Sequence, residues 1–427
     1  MTKTIIVRGP ALSRSGYGEQ TRFALEALRS RPDLFEIYIV NIPWGNTGLI
    51  SEKTELTEWI YETLTKTQLH LQASQGRASF DVSLQVTVPN EFEPMAATNI
   101  GYTAGIETTK IAPQWIEKIN TVVSKVITIS EHSRKSFENT SYNAQNQETG
   151  EMVSGWKVNV PIDVVGYPVR EVEAEPLEIE FSTENNFLAV SQWGTRKNLD
   201  NTIRWFVEEF KDDPTAGLVL KTNSASDSIM DRMFTTRRLE SLLAESSSWG
   251  VEDRKCKIYL IHGELSRGNL AWLYQHSSMK ALINIAHGEG WGLPLFEAAA
   301  NGLPLITVPW SGQLDFICKT NKKGKAVPYI VPVDFSIGPV QKAAVWDGVV
   351  QEDSMWAFAR ESSYKRALRG VLEKEKHYRD RAVQLQSEIN EKFQKEAMYE
   401  KFIACVHEEP DEDVAEWLKK IEEISEL

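Results

Sequence analysis

The sequence predicts an α/β protein of two lobes, each a parallel β-sheet flanked by helices. Three observations predict it. Near the start, Thr4 to Arg8 reads as a strand and Ser13-Arg-Ser-Gly-Tyr-Gly18 as a loop. Glu19 to about Arg29 then reads as a helix and Glu36 to Asn41 as a returning strand, the repeating unit of parallel sheets. The pattern recurs later: Asn186 to Val190 is a strand and Ser191 to Asn198 a loop. The next helix carries Ile203, Phe206, Val207 and Phe210 on one face, and Leu218 to Lys221 returns as a strand. Between the halves, Gly166-Tyr-Pro-Val-Arg-Glu-Val-Glu-Ala-Glu-Pro176 has turn residues and alternating charge without a period, so it reads as a linker. The expected divisions are 1–168, a linker at 169–184, 185–385, and terminal helices over 386–427.

The remaining elements follow from shorter signals. Strands are expected at Asp81 to Val88, Ala97 to Thr103 and Lys125 to Ser130, with helices from Gln114 and Glu131, His132 standing in the first turn of the latter. Asn139 to Gly155 is polar and reads as irregular, and one helix is expected from about Glu373 to Val406. An acidic stretch with Trp417 follows.

Composition bounds the function. With 427 residues, 41% hydrophobic and 25% charged, the chain is an ordinary globular protein with room for two cores. Lys plus Arg (47) against Asp plus Glu (60) gives a net charge of −13, which disfavours nonspecific attraction to nucleic acid or an anionic membrane. The opening apolar run is too short for a signal peptide and nothing later approaches a spanning helix, so the cytoplasm is the expected location. Cys256, Cys318 and Cys405 are an odd, scattered trio, which fits a reducing compartment and neither a disulfide framework nor a zinc site. The seven histidines show no metal-ligand spacing, no paired aspartates end a strand, and Asp411-Glu412-Asp413 reads as a solvated tail. No metal site is expected.

The most informative stretch runs from Ala281 to Pro304. Leu282 to Ile285 suits a strand covered on both faces; Gly288, Gly290 and Gly292 free the backbone; Pro294 suits a helix start and Gly302 its stop. A helix from Pro294 to about Asn301 aims unpaired amides at the turn, where negative charge gains about 0.3–1 kcal/mol at an exposed site. A diphosphate suits that place. Glu297, in the first helical turn, is then an acceptor near a ribose, and Glu289 projects beyond the phosphate. Since two carboxylates repel a phosphate, both are expected to face hydroxyl groups. The plainer alternative is a strand-to-helix turn with a capping carboxylate, and Trp291 either packs beneath the loop or stacks on a ligand.

This segment resembles the Glu-seven-residues-Glu signature of retaining glycosyltransferases of the GT-B fold, most closely family four, whose usual form is Glu-Gly-Phe-Gly-Leu-Pro with Glu-Ala at the second Glu. Trp291 stands in place of the Phe. The resemblance implies two Rossmann-like domains facing across a cleft, the first on the acceptor side and the second holding a nucleotide sugar, with the terminal helices crossing back onto the first. It also implies that Glu289 contacts the donor sugar, that amides of Gly290, Trp291, Gly292 and Leu293 hold sugar hydroxyls and phosphate, and that Glu297 takes the ribose hydroxyls. Together with Gln-Trp-Gly-Thr-Arg-Lys-Asn198, the segment is similar to a branch found in tailed-phage genomes.

Other positions acquire candidate roles from the same resemblance. The loop holding Gly16, Tyr17 and Gly18 would touch donor phosphate and acceptor, Tyr17 on the acceptor side. Tight-turn geometry also accounts for its glycines, and Thr21 stands where a dinucleotide fingerprint wants a third. In the family a Gly-Arg and a later Lys-Gly place two cations on the diphosphate. Aligning Lys197 with that Lys puts Gln192 at the Arg, leaving Arg196 to supply the charge; a solvated basic pair is the alternative. Many members carry a His after a central strand of the first domain. Ile100 to Thr108 has none, and Glu107, the nearest ionisable group, either receives the acceptor hydroxyl or caps Thr108. Lys221, Thr222 and Asn223 end a strand at the ligand-binding edge, though helix-cap duty explains Thr222 or Asn223 equally well. Ile258 to Ile261 with His262-Gly-Glu-Leu265 resembles the base-recognising segment, His262 itself being structural.

The expected activity is retaining transfer of a hexosyl or pentosyl unit from a UDP- or GDP-sugar to a hydroxyl acceptor, without metal or added cofactor. Lys197, Arg196 and the helix amides would stabilise the departing diphosphate while Glu289 orients the sugar. In the family, the leaving phosphate can take the acceptor's proton. Three rivals share the fold: a phage-type transferase acting on a hydroxylated pyrimidine in DNA, a sugar-nucleotide epimerase or phosphorylase, and a catalytically idle donor-binding protein. Nucleic acid would enter only as an acceptor, along a basic track of Arg8, Arg14, Arg22, Arg29 and Arg31. Oligomeric state is left open.

Overall fold

The computed structural model describes residues 2–145, 150–320 and 326–407; the acidic stretch with Asp411-Glu412-Asp413 and Trp417 lies outside them. Two six-stranded parallel sheets form the two lobes. The first contains β1 (Lys3–Gly9), β2 (Phe35–Asn41), β3 (Val82–Val86), β4 (Thr98–Thr103), β5 (Lys125–Thr128) and β6 (Ile162–Val164), in the order β2-β1-β3-β4-β5-β6. The second contains β7 (Asn185–Gln192), β8 (Ala216–Asn223), β9 (Lys257–Ile261), β10 (Met279–Asn284), β11 (Leu305–Thr307) and β12 (Val331–Pro332), in the order β9-β8-β7-β10-β11-β12. This is the α/β architecture that the sequence predicts. Apolar runs such as Ile5-Ile6-Val7 and Leu218-Val219-Leu220 are buried, as strands covered on both faces require.

Strand order fixes where a ligand fits. In each sheet the order reverses once, between β1 and β3 and between β7 and β10, and open parallel sheets bind ligands in the crevice beyond the strand ends at such a reversal. Three loops lie there: the one after β1 with Ser13 to Ser15, the one after β7 with Arg196 and Lys197, and the one after β10 with Gly288 to Gly292.

Two expectations are corrected. The single terminal helix is two, Glu375–Lys392 and Lys395–Val406, because the chain breaks at Phe393. That ring turns into an aromatic cluster, 5.5 Å from Trp291 and 5.3 Å from Phe296, and its carbonyl accepts the Val169 amide at 2.8 Å. The second helix lies on the first lobe, Phe402 meeting Phe23 at 5.3 Å and Tyr102 at 5.1 Å. Within Asn139 to Gly155, which reads as irregular, Tyr142–Gln145 and Met152–Trp156 pair as an antiparallel hairpin in which Tyr142 opposes Trp156. A cross-strand aromatic pair of this kind stabilises strands that are otherwise polar.

A second hairpin links the lobes. Phe335–Pro339 and Met355–Ala359 pair antiparallel in the second lobe, and the loop between them reaches the first. There Val349 is 7% exposed, in one cluster with Val88, Phe92, Ile106, Ile111 and Trp115. Thr109 and Met355 exchange two hydrogen bonds of 3.0 Å, and Lys110 pairs with Asp353.

Candidate functional site

The glycine turn after β10 is held open by its surroundings. Gly292 adopts φ +91°, and the helix begins at Leu293, one residue earlier than expected. A Cβ on Gly288 would stand 2.3 Å from the Glu107 carbonyl oxygen, and one on Gly290 would stand 2.9 Å from that of Ala104, so the first lobe rests directly on the turn. From below, Ser311 at φ +72° accepts the Glu289 amide on Oγ at 2.9 Å, and the Gly312 amide donates to the Glu289 carbonyl at 2.9 Å. A non-glycine residue in that region stores strain of roughly 1–3 kcal/mol, and such strain clusters at functional sites. The amides of Gly290, Trp291, Gly292 and Leu293 donate no hydrogen bond among the described residues. Buried amides are nearly always paired, so this run of four consecutive free donors is a candidate site for an acceptor group.

Beside the turn lies a buried ion cluster. The Glu289 carboxylate, 5% exposed, receives Lys197 Nζ at 2.6 and 2.8 Å, Arg196 Nη1 at 3.0 Å and Asn284 Nδ2 at 2.9 Å. Arg196 also donates to the Gly288 carbonyl at 2.8 Å and reaches across the cleft to Glu107 at 3.1 Å. The loop is fixed by Asn198, left-handed at φ +55°, whose Nδ2 donates to the Ile285 carbonyl, and by the His287 amide bonded to the Arg196 carbonyl at 2.8 Å. Burial pushes the Glu289 carboxyl up, but the two cations and Asn284 outweigh it and hold it at about 2. Lys197 is shifted down by burial and by neighbouring Arg196, against the pull of Glu289. Arg196 is raised: burial opposes its charge, and Glu107 and Glu289 more than offset that.

Glu297 occupies a second pocket, lined by Glu19, Arg170, Arg267, Leu270 and Leu293. Tyr274 donates its hydroxyl to Glu297 at 3.0 Å. Burial, reinforced by Glu19, pushes the Glu297 carboxyl up to about 7, against Tyr274, Arg170 and Arg267. Glu19 itself joins three segments: Arg22 at 2.6 Å on its own helix, Arg170 at 2.7 Å in the linker, and Arg267 at 3.0 Å in the second lobe. Burial opposes ionisation there too, yet the three guanidiniums hold its carboxyl well below the usual range.

The expected site residues are placed unevenly. Arg196, Lys197, Glu107 and Glu289 come together, and Gly290, Gly292 and Leu293 adjoin them. Glu289 faces cations and not hydroxyls, because a buried carboxylate beside two buried cations is satisfied only by pairing. Likewise Glu107 neither caps Thr108 nor stands free; it pairs with Arg196. Trp291, 3% exposed, packs beneath the loop among Tyr167, Phe296, Phe316 and Phe393. Gly18 is dictated by packing, since a Cβ would meet the Ser13 carbonyl at 2.0 Å, whereas Gly16 has open space around it. The Tyr17 hydroxyl bonds Thr103 Oγ1 at 2.8 Å and accepts the Ala104 amide at 3.2 Å, and its ring lies 4.3 Å from Trp44. Gln192 donates to the Ser224 carbonyl, and buried His262 bonds Asp231 at 2.8 Å.

Sequence reasoning overlooked Asn284, Ser311, Gly312, Glu19, Arg170, Arg267 and Tyr274. A usable signal existed for two kinds: Asn284 is the polar residue ending an apolar strand, and Ser311-Gly312 follows the strand after the glycine turn, at the same sheet edge. The arginines proposed as a basic track are each occupied: Arg8 with Glu93, Arg14 with Glu264, Arg22 with Glu19, Arg29 with Glu55 and Arg31 with Asp33. No group of three His, Cys, Asp or Glu side chains is arranged to hold a metal, and no helix is long and apolar enough to cross a membrane, among the described residues.

No family model matches the chain, and no curated protein matches it in sequence. Solved structures do. Sucrose-phosphate synthase from Thermosynechococcus elongatus is 14% identical, with a TM-score of 0.57 over 93% of this chain and 97% of its own. HepE of Anabaena, solved with UDP-glucose, is 10% identical, with a TM-score of 0.54 over 94% of this chain and 98% of its own. An E. coli protein described as trehalose-6-phosphate, bound with UDP-2-fluoro glucose, is 11% identical with a TM-score of 0.54 over the same shares. Against TarM of S. aureus the chain spans 55% of the neighbour's length, with a TM-score of 0.48. The two facing parallel-sheet lobes are those of the GT-B glycosyltransferase fold.

Proposed function

We propose that the protein is a retaining, metal-independent glycosyltransferase that moves a sugar from a nucleoside diphosphate donor to a hydroxyl acceptor. The observation that carries this reading is the row of unpaired amides from Gly290 to Leu293, set beside Lys197 and Arg196 at the strand-order reversal. Free amides at a helix start complement phosphate oxygens and sugar hydroxyls, and a sheet reversal is where such a ligand lies. A UDP-sugar is the favoured donor, since two neighbours of the same fold are described with UDP-glucose or its fluoro analogue. The paired state of all five candidate track arginines speaks against DNA as acceptor.

The chemistry follows from charge. As the bond between the anomeric carbon and the phosphate oxygen breaks, negative charge grows on the diphosphate, and the amides stabilise it, helped by the N–H donors of Lys197 and Arg196, whose charges Glu289 and Glu107 balance. The acceptor oxygen bonds to the anomeric carbon on the face the phosphate leaves, and its proton passes to the departing phosphate oxygen. Glu289 holds Lys197 and Arg196 in place beside the sugar; Glu297 takes the ribose hydroxyls. Contacts between the lobes at Glu107, Glu19 and Val349 exclude water, which limits hydrolysis of the donor. Three unpaired cysteines fit a cytoplasmic location.

Incubation with a panel of nucleotide sugars and hydroxyl acceptors, followed by product analysis, tests this reading. A glycoside of retained anomeric configuration is expected, formed in the presence of a chelator. A free or isomerised sugar without acceptor, or nucleotide binding without turnover, would replace it.

A further inference from the structure

The cations nearest the turn are already neutralised. Lys197 and Arg196 face Glu289 and Glu107, two positive charges against two negative, so this cluster brings no net charge to a diphosphate. Gln192 adds none, being spent on the Ser224 carbonyl. Arg14, Arg170 and Arg267 each hold a carboxylate. A polyanion in this cleft needs a positive charge from elsewhere.

Resting on the glycosyltransferase reading, we propose that Lys221 is a donor-binding residue that meets the diphosphate, supplying from the neighbouring strand the charge that Gln192 lacks. Strand β8 pairs in parallel with β7, Lys221 opposite Val190 and Asn223 opposite Gln192. Lys221 and Gln192 are thus on adjacent strands and, by the alternation of side chains, on the same face of the sheet. On its other side Lys221 pairs with Ile261 of β9, so it stands in the middle of three strand ends at the ligand-binding edge. Val219, two residues earlier on that face, packs in one cluster with Tyr274 and Phe296, which line the Glu297 pocket. Lys221 therefore looks along the same side of the sheet as the pocket assigned to the ribose.

Its ammonium lacks the direct partner that a half-buried cation ordinarily has. The Lys221 side chain makes no hydrogen bond and no ion pair among the described residues. Burial lowers its affinity for a proton; Asp227 opposes this, and Arg14 of the opposite lobe adds a smaller effect in the same sense as burial. A half-buried ammonium whose burial cost Asp227 does not fully offset gains from an anion in the cleft.

Calorimetric titration of wild type, Lys221→Met, Lys221→Arg and the double variant Lys221→Met with Gln192→Arg tests this, with UDP, GDP, uridine and guanosine as probes. Lys221→Met should lose about tenfold or more in affinity for the preferred diphosphate, the loss expected for a charge-assisted hydrogen bond, with nucleoside binding unchanged. Lys221→Arg should keep most of the affinity, and Gln192→Arg should restore it in the Met background. Diphosphate affinity unchanged in Lys221→Met, or an equal loss for the nucleoside, would overturn the assignment of Lys221 alone. If wild type bound neither nucleotide, the glycosyltransferase reading would fall with it.

Discussion

Glu289 and Lys197, 92 residues apart in the chain, form a buried ion pair at 2.6 Å that Arg196 extends across the cleft to Glu107. Removing one partner of such a pair strands a charge and costs about 3–5 kcal/mol, whereas changing the carboxylate to its amide keeps shape and part of the hydrogen bonding. Glu289→Gln should therefore fold and bind donor, with turnover reduced on the order of 100-fold, the range seen when one preorganised electrostatic group is lost. Steady-state kinetics against donor concentration checks this: kcat should fall more than KM rises. Unchanged kcat would remove Glu289 from the reacting centre.

The same pair sets an acid limit. Because the folded-state carboxyl of Glu289 lies near 2, below its ordinary value of 4.5, its ionisation stabilises the fold above that ordinary value, and the contribution is lost as pH falls through about 2. Chemical denaturation between pH 5 and pH 2 should show wild type losing stability faster than Glu289→Gln. Parallel curves would mean that the pair is not intact in solution.

The parts of this fold legible in the sequence are those written in continuous apolar runs and glycine-proline punctuation: the two strand-loop-helix-strand units and the turn before Pro294. The helix Glu55–Ala73 escaped because its buried face is largely threonine, Thr57, Thr63 and Thr67 with Ile60, so no apolar stripe marks it. Those hydroxyls are satisfied locally, Thr63 on the Trp59 carbonyl and Thr67 on the Thr63 carbonyl, which is how polar residues occupy a core face. The carboxylates of the site were legible as residues but not as partners. Glu19 and Arg267 are separated by 248 positions, and only the folded chain, with Arg170 of the linker beside them, brings them together.

Glu297 should behave in the opposite sense to Glu289. Its carboxyl is raised to about 7, so relative to the unfolded chain the native state keeps its proton longer, and stability is lost as pH rises from 4.5 through 7. Glu297→Gln removes that slope. The variant should gain on wild type in denaturation midpoint as pH rises from 5 to 8, while donor affinity falls because ribose hydroxyls lose an anionic acceptor. If its midpoint tracks wild type at every pH, Glu297 is solvated and the pocket is open.

The hairpin loop carrying Val349 ties the second lobe to the first, and its root is fixed to the turn through His287. Gln341 bonds His287 Nε2 at 2.9 Å, His287 Nδ1 donates to the Ala357 carbonyl at 2.7 Å, and the imidazole stacks on Trp356 at 4.8 Å. His287 is two residues from Glu289, so a ligand that moves the turn pulls on the loop whose tip is buried in the other lobe. Val349→Asp places a charge in that apolar cluster and should release the tip without touching either sheet. Small-angle scattering should then give a larger radius of gyration than wild type. Kinetically, donor hydrolysis should rise relative to transfer by several-fold, because closure no longer excludes water. A variant with wild-type scattering and an unchanged hydrolysis ratio would show that the loop is a passenger on the interface and does not hold it shut.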